Sequence, residues 1–152
     1  MSLTLDIVRH GVAAAHHTAG DAHRALTPHG AEAIRRLATA LQAEGWAPDR
    51  VFASPYVRAQ QTAYLLAAPG GFVVDTLREL EPDTPPQCVL DALADEGIAA
   101  GHVVLVAHLP LVERLQLLLS AGSAPWMPGT IVRVELPSGL NGRGQSTRVW
   151  TP

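Results

Sequence analysis

The sequence contains no lysine: all 11 of its basic residues are arginines. Against 14 acidic residues they leave a net charge of -3. That balance excludes nucleic acid as the main partner, because no basic surplus exists to neutralise a phosphate backbone. Any phosphate chemistry must therefore use arginine, histidine or backbone N–H groups. There is one cysteine, Cys88, so an internal disulfide is excluded. A lone cysteine is expected as a small buried hydrophobe. Aromatic residues make up 5%, and Trp46, Trp126 and Trp150 are expected to pack rather than to form a base-stacking platform. No apolar run reaches the ~18 residues of a membrane span. The N-terminus shows neither the basic segment nor the apolar stretch of a signal peptide. The expectation is a cytoplasmic protein with no membrane role, monomeric by default.

What is present is a chain of 152 residues, 47% hydrophobic and 16% charged. That is enough for one globular domain, 1–152, with a substantial core. Leu3–Val8 reads as a strand. Thr27-Pro28 is a helix start, with threonine as N-cap and proline at the first helical position. Ala31, Ile34, Leu37, Ala38 and Leu41 follow at helical spacing, and Gly45 is a stop. Arg50–Ala53 is a short strand. Ser54-Pro55 repeats the cap-and-proline signal and predicts a helix to about Ala67. Phe72–Val74 is a third strand. Pro86 opens a helix with Val89, Leu90 and Leu93 on one face. Val103–Ala107 is the most apolar strand, suited to a sheet covered on both faces. Pro110 opens a helix with Leu111, Leu115, Leu118 and Leu119 inward. Thr130–Leu136 and Ser146–Trp150 flank the turn-rich "PSGLNGRG" and predict a hairpin or edge pair. Strands alternating with helices imply an α/β protein, a three-layer α/β/α sandwich with a largely parallel central sheet.

Such sheets place their sites beyond the carboxyl ends of the strands. The residues just past the predicted strands are Arg9-His10-Gly11, then Ser54 to Arg58, then Arg78-Glu79 and Glu81, then His108. Guanidinium forks match phosphate oxygens. A neutral imidazole can attack phosphorus and carry the phosphoryl group. A second histidine and the arginines can neutralise the equatorial oxygens. The N-terminal amides of the Arg58 helix also favour an anion. Gly11 fits a tight turn that lets backbone approach the bound group. No carboxylate cluster offers itself to a metal, and nothing calls for a cofactor.

"VRHG" (Val8–Gly11), "SPYVRAQQTA" (Ser54–Ala63) and "VLVAHLPLV" (Val104–Val112) together resemble the three signature blocks of the histidine phosphatase, or phosphoglycerate mutase-like, superfamily. "RALTPHG" (Arg24–Gly30), "HLPLV" and the small size are most similar to the small bacterial phosphohistidine phosphatases. The resemblance implies that His10 is the phosphorylated nucleophile and that Arg9, Arg58 and His108 form the phosphate pocket. It implies Glu79 as proton donor, with Glu81 as a substitute or no carboxylic acid at all. Two departures stand out. Val12 occupies the position after the glycine where many relatives are acidic, and "LEPDTPP" follows Glu79. The interval from Arg58 to His108 has little room for the helical cap of the longer relatives, so an open groove is expected. Arg24 or a neighbouring histidine is expected to line it.

The implied activity is a metal-independent phosphatase working through a phosphohistidine intermediate on a phosphohistidine-bearing protein. A broad phosphomonoesterase acting on small phosphorylated metabolites is the alternative. A phosphoprotein-binding module without turnover is a third reading. Each residue also has a plainer role open to it. Arg9-His10 can cap backbone, Arg58 can be a solvated helix arginine, and His108 a core histidine. Ser54 reads as an N-cap, and His16, His17, His23 and His29 as surface loop residues.

Overall fold

A single six-stranded sheet organises the computed structural model, which describes residues 1–152. Its strands are β1 (Leu3–Arg9), β2 (Arg50–Ala53), β3 (Val74–Thr76), β4 (Gly101–Ala107), β5 (Ile131–Leu136) and β6 (Gln145–Trp150). They lie in the order β3-β2-β4-β1-β5-β6. The first four run parallel, whereas β5 and β6 are antiparallel and form the predicted hairpin. The helices are α1 (Pro28–Ala43), α2 (Val57–Ala67), α3 (Pro86–Asp95) and α4 (Leu111–Leu119). No helix is long and apolar enough to cross a membrane.

Strand alternation divides the core between the two faces. Leu3, Leu5 and Ile7 of β1 join Val103 and Leu105 of β4 under Leu93 of α3 and Leu115 of α4. Val8, Val104 and Val106 face the other way, onto Ile34 and Leu37 of α1 and Ala63 and Leu66 of α2. Each fully buried leucine contributes roughly 1.5–3 kcal/mol by leaving water. The layers are α1/α2, sheet and α3/α4, as the alternation of elements implied. Between α2 and β4 the chain holds β3, a short 3-10 turn and α3, and α3 packs on the sheet rather than over the strand ends.

Local signals set several boundaries. The Thr27 hydroxyl accepts from the Gly30 N–H at 2.9 Å, and Pro28 opens α1. Four expectations fail. β3 starts at Val74, not Phe72: α2 runs on into a 3-10 turn, and Gly71 with φ 71° reverses the chain before Phe72, whose ring meets Trp46 edge-on. Ser54 does not cap α2, which begins only at Val57 behind Tyr56. Cys88 is exposed, because α3 buries Val89, Leu90 and Leu93 instead. Leu118 is on the solvent side of α4, whose buried stripe runs through Leu111, Leu115 and Leu119.

Candidate active site

The strand order creates the site. β1 leads across β4 to β2, and β4 returns into the gap between them, so the chain connections diverge at the β1/β4 seam. Sheets of this kind open a crevice at such a point. Arg9 pairs with Ala107 in register. His10 and His108 therefore emerge side by side, one residue past neighbouring strands, with ring centroids 5.1 Å apart. On the other side of β4, the Ser54 N–H donates to Val106 O at 3.0 Å and brings the end of β2 alongside His108. Arg58 reaches in from the first turn of α2 and is almost wholly buried.

These side chains line a cavity of about 430 Å³ together with Gly11, Asp21 and Arg24. The sequence-predicted Arg9, His10, Gly11, Arg24, Arg58 and His108 are thus brought together. Glu79 is not. It sits half-buried on the 3-10 turn Arg78–Leu80, and Pro82, rather than Glu79 or Glu81, is what that loop contributes to the cavity wall. The role of Gly11 also differs from the turn expected of it. Its φ is not left-handed; a Cβ there would lie 2.9 Å from Ile34 Cγ1, so the glycine lets the loop pass against α1. The Gly11 N–H donates to Thr62 Oγ1 of α2 at 3.0 Å, which ties the loop to the helix carrying Arg58.

The protonation of His10 follows from its partners. Nδ1 lies 2.7 Å from the carbonyl oxygen of Gly11. A carbonyl only accepts, so Nδ1 carries the hydrogen and Nε2 keeps its lone pair. That lone pair accepts from Arg58 Nε at 3.3 Å. Burial, then the Arg58 and Arg9 charges, lower the His10 pKa to about 4. Burial, followed by His10 and Arg58, lowers that of His108 to about 3. Both imidazoles are neutral at neutral pH. Arg9 donates through Nη1 to Trp126 O at 2.7 Å, and its buried Nε has no partner.

Sequence reasoning missed Asp21. Its carboxylate accepts from Arg24 Nε at 2.8 Å and from Arg58 Nη2 at 3.1 Å, and its carbonyl accepts from Arg58 Nη1 at 2.8 Å. The Arg24 hydrogen bond foremost holds Asp21 below the usual carboxylate range. The only local sign was an acid three residues before a candidate arginine. Ser54 was also misread, since its hydroxyl contacts His108 Nε2 at 2.8 Å. His16, His17, His23 and His29 are exposed as expected, though His29 lies in the first turn of α1 rather than in a loop. No group of three or more His, Cys, Asp or Glu is placed to hold a metal ion.

Residues 5–82 match the sequence model of the histidine phosphatase superfamily, branch 1. The chain belongs to that superfamily. It is 37% identical over 145 residues to the phosphohistidine phosphatase SixA of Escherichia coli strain K12, across 90% of this chain and 87% of the relative. The structure of the protein histidine phosphatase SixA complexed with tungstate superposes with a TM-score of 0.82 at 31% identity, covering 99% of this chain and 97% of that one. A putative phosphohistidine phosphatase SixA from Agrobacterium tumefaciens has a TM-score of 0.80 at 18% identity, over 99% of each chain, and shares the fold. The superfamily match includes both Arg9-His10 and Arg58.

Proposed function

We propose that this chain is a phosphohistidine phosphatase that takes the phosphoryl group onto His10. The observation that carries the reading is the state of His10: Nδ1–H committed to the Gly11 carbonyl, the Nε2 lone pair unprotonated and turned to Arg58, the ring held neutral. A neutral imidazole fixed by one nitrogen, with a lone pair on the other, is a nucleophile.

The reaction proceeds in two displacements. Nε2 attacks phosphorus and forms the new P–N bond while the P–N bond to the substrate imidazole breaks. The leaving ring departs neutral, protonated at its other nitrogen by solvent in the open groove. Water then attacks phospho-His10; Nε2 recovers its electron pair, and both hydrogens of the water leave with phosphate and solvent. Arg9, Arg58 and Arg24 neutralise the phosphoryl oxygens in both steps without calling on a metal.

Two features favour a protein-borne phosphohistidine over a small ester. An alkoxide leaving group benefits from a positioned acid, but Glu79 stays out of the cavity wall and Asp21 is held ionised. An imidazole leaves without one. The cavity mouth is also uncovered and has an apolar rim: of the residues lining it, Val12 is 44% exposed and Leu109 37%. Exposed apolar residues clustered at a site mark a contact with a larger partner. SixA, the relative named above, bears the name of this activity.

The test offers the purified protein a phosphohistidine-bearing domain and a panel of small phosphate esters, with His10→Ala as control. Fast dephosphorylation of the domain with slow ester turnover, both lost in His10→Ala, supports the reading. Preference for an ester transfers the assignment to a small-molecule phosphomonoesterase. Phosphate binding without turnover would leave a binding module.

A further inference from the structure

The mechanism above makes no use of Ser54, yet it is fully buried against the site. Its backbone is pinned on both sides: the N–H donates to Val106 O, and the carbonyl accepts from Gln60 Nε2 at 2.8 Å. Its hydroxyl has two neighbours, the Tyr56 N–H at 3.2 Å and His108 Nε2 at 2.8 Å. Tyr56 also packs edge-on against the His108 ring, with centroids 5.0 Å apart. The other ring nitrogen, His108 Nδ1, is buried and has no partner.

The hydrogens can be counted. A backbone N–H only donates, so Ser54 Oγ accepts from Tyr56. The hydroxyl has one hydrogen of its own. If His108 Nε2 carried the proton and donated to Oγ, the serine hydrogen would point at no acceptor in a buried site, and Nδ1 would be a second unmatched atom. If the serine hydroxyl donates to Nε2, every hydrogen of Ser54 is used and Nδ1 carries the proton. A buried polar atom without a partner is rare and costly, so the second arrangement is favoured. It leaves one unmatched group, an N–H on a residue that lines the phosphate cavity.

We propose that Ser54 is a positioning residue: it fixes His108 as the Nδ1–H tautomer, so that an uncharged imidazole presents a donor to the phosphoryl oxygens. The unpartnered Nδ1–H is then a group waiting for its anion, as is Arg9 Nε on the neighbouring strand. Because His108 is neutral, its usefulness depends on which nitrogen holds the hydrogen. With the opposite tautomer a lone pair would face the phosphate and repel it. Ser54 thereby links the end of β2 to the chemistry at the β1/β4 seam. The inference deepens the phosphate-site reading given above, but its decisive measurement requires no turnover.

That measurement is the tautomer of His108 in the wild-type protein, read from two-bond nitrogen–proton couplings of 15N-labelled imidazoles at neutral pH. The unprotonated, downfield nitrogen is expected to couple to both ring C–H protons, which identifies it as Nε2. A downfield nitrogen coupled to Hε1 alone would be Nδ1 and would overturn the proposal, whatever any variant does. Ser54→Ala is then expected to shift the ring toward the Nε2–H form and to weaken inorganic phosphate binding about tenfold or more, the order of one hydrogen bond to a charged group. Ser54→Thr, which retains the hydroxyl, should restore both. Unchanged phosphate affinity in a folded Ser54→Ala protein would overturn the link from tautomer to phosphate. If phosphohistidine turnover is absent while the tautomer and phosphate affinity behave as stated, the proposed substrate fails and the role of Ser54 stands.

Discussion

The imidazoles of His10 and His108 stand 5.1 Å apart at a tilt of 56°, and neither is charged at neutral pH. The seam between β1 and β4 buries two bases side by side, and that burial, followed by the neighbouring arginine charges, keeps both unprotonated. Attack by His10 requires the neutral form. With its pKa at about 4, the rate of phosphoryl transfer should stay level from neutral pH to about pH 5 and fall with a midpoint near 4. A free imidazole would fall near ~6.5. Single-turnover rates across pH 3.5–8 check this, and a midpoint at the free value would refute it.

The same shifts predict a stability trend. Between the unfolded histidine value and about 4, the unfolded chain binds protons that folded His10 and His108 do not. Stability therefore rises with pH in that window and is lost as pH falls through it. Urea midpoints should decline from pH 6.5 to 4 with a smaller slope in His108→Gln. An identical slope in the variant would count against the assignment.

Asp21 contributes a negative charge beside two of the three guanidinium groups assigned to the phosphate, those of Arg24 and Arg58. Its side chain is 59% exposed, so solvent screens part of the effect. Asp21→Asn keeps the hydrogen-bond acceptor and removes the charge. Competitive inhibition by inorganic phosphate should become about three- to tenfold tighter. Weaker inhibition would mean that aiming Arg58 and Arg24 outweighs the charge.

Asp6 tests the scaffold apart from the site. It is fully buried in β1, about 10 Å along the strand from Arg9. It accepts from Arg133 Nε at 2.8 Å and Nη2 at 2.9 Å, from Trp46 Nε1 at 2.8 Å and from His102 Nε2 at 2.6 Å. Burial alone would raise its pKa, but the His102 and Arg133 bonds prevail and hold it low. Asp6→Ala strands Arg133 and should cost about 3–5 kcal/mol in urea unfolding, while kcat of the folded fraction is unchanged.

Leu109 addresses the rim, since it lines the cavity and is exposed. Leu109→Ser should raise KM for a phosphohistidine-bearing domain by roughly three- to tenfold and leave small-ester turnover alone. Equal effects on both substrates would place the residue in the phosphate site instead of the partner contact.

The elements most fully legible in the sequence were those whose cause is local. β2 matches its apolar run, and α1 begins where Thr27 and Pro28 say it should. Arg9, His10, Arg58 and His108 could be picked out because strand ends in a parallel sheet share a rim. Phe72, Cys88 and Leu118 were misplaced because a turn, or the exact rotation of a helix stripe, outweighed composition.

By itself, then, the amino-acid order determined the alternation of strands and helices, the two apolar faces of the sheet and the four residues at its rim, since periodicity and capping act over a few residues. Only the tertiary structure decided that Asp21 meets Arg58 across 37 positions, that Glu79 stays outside the cavity wall, and that the Ser54 hydroxyl meets His108 instead of capping α2. Those relationships depend on strand order and on where each proton can find an acceptor, and such through-space conditions leave no local trace in a sequence.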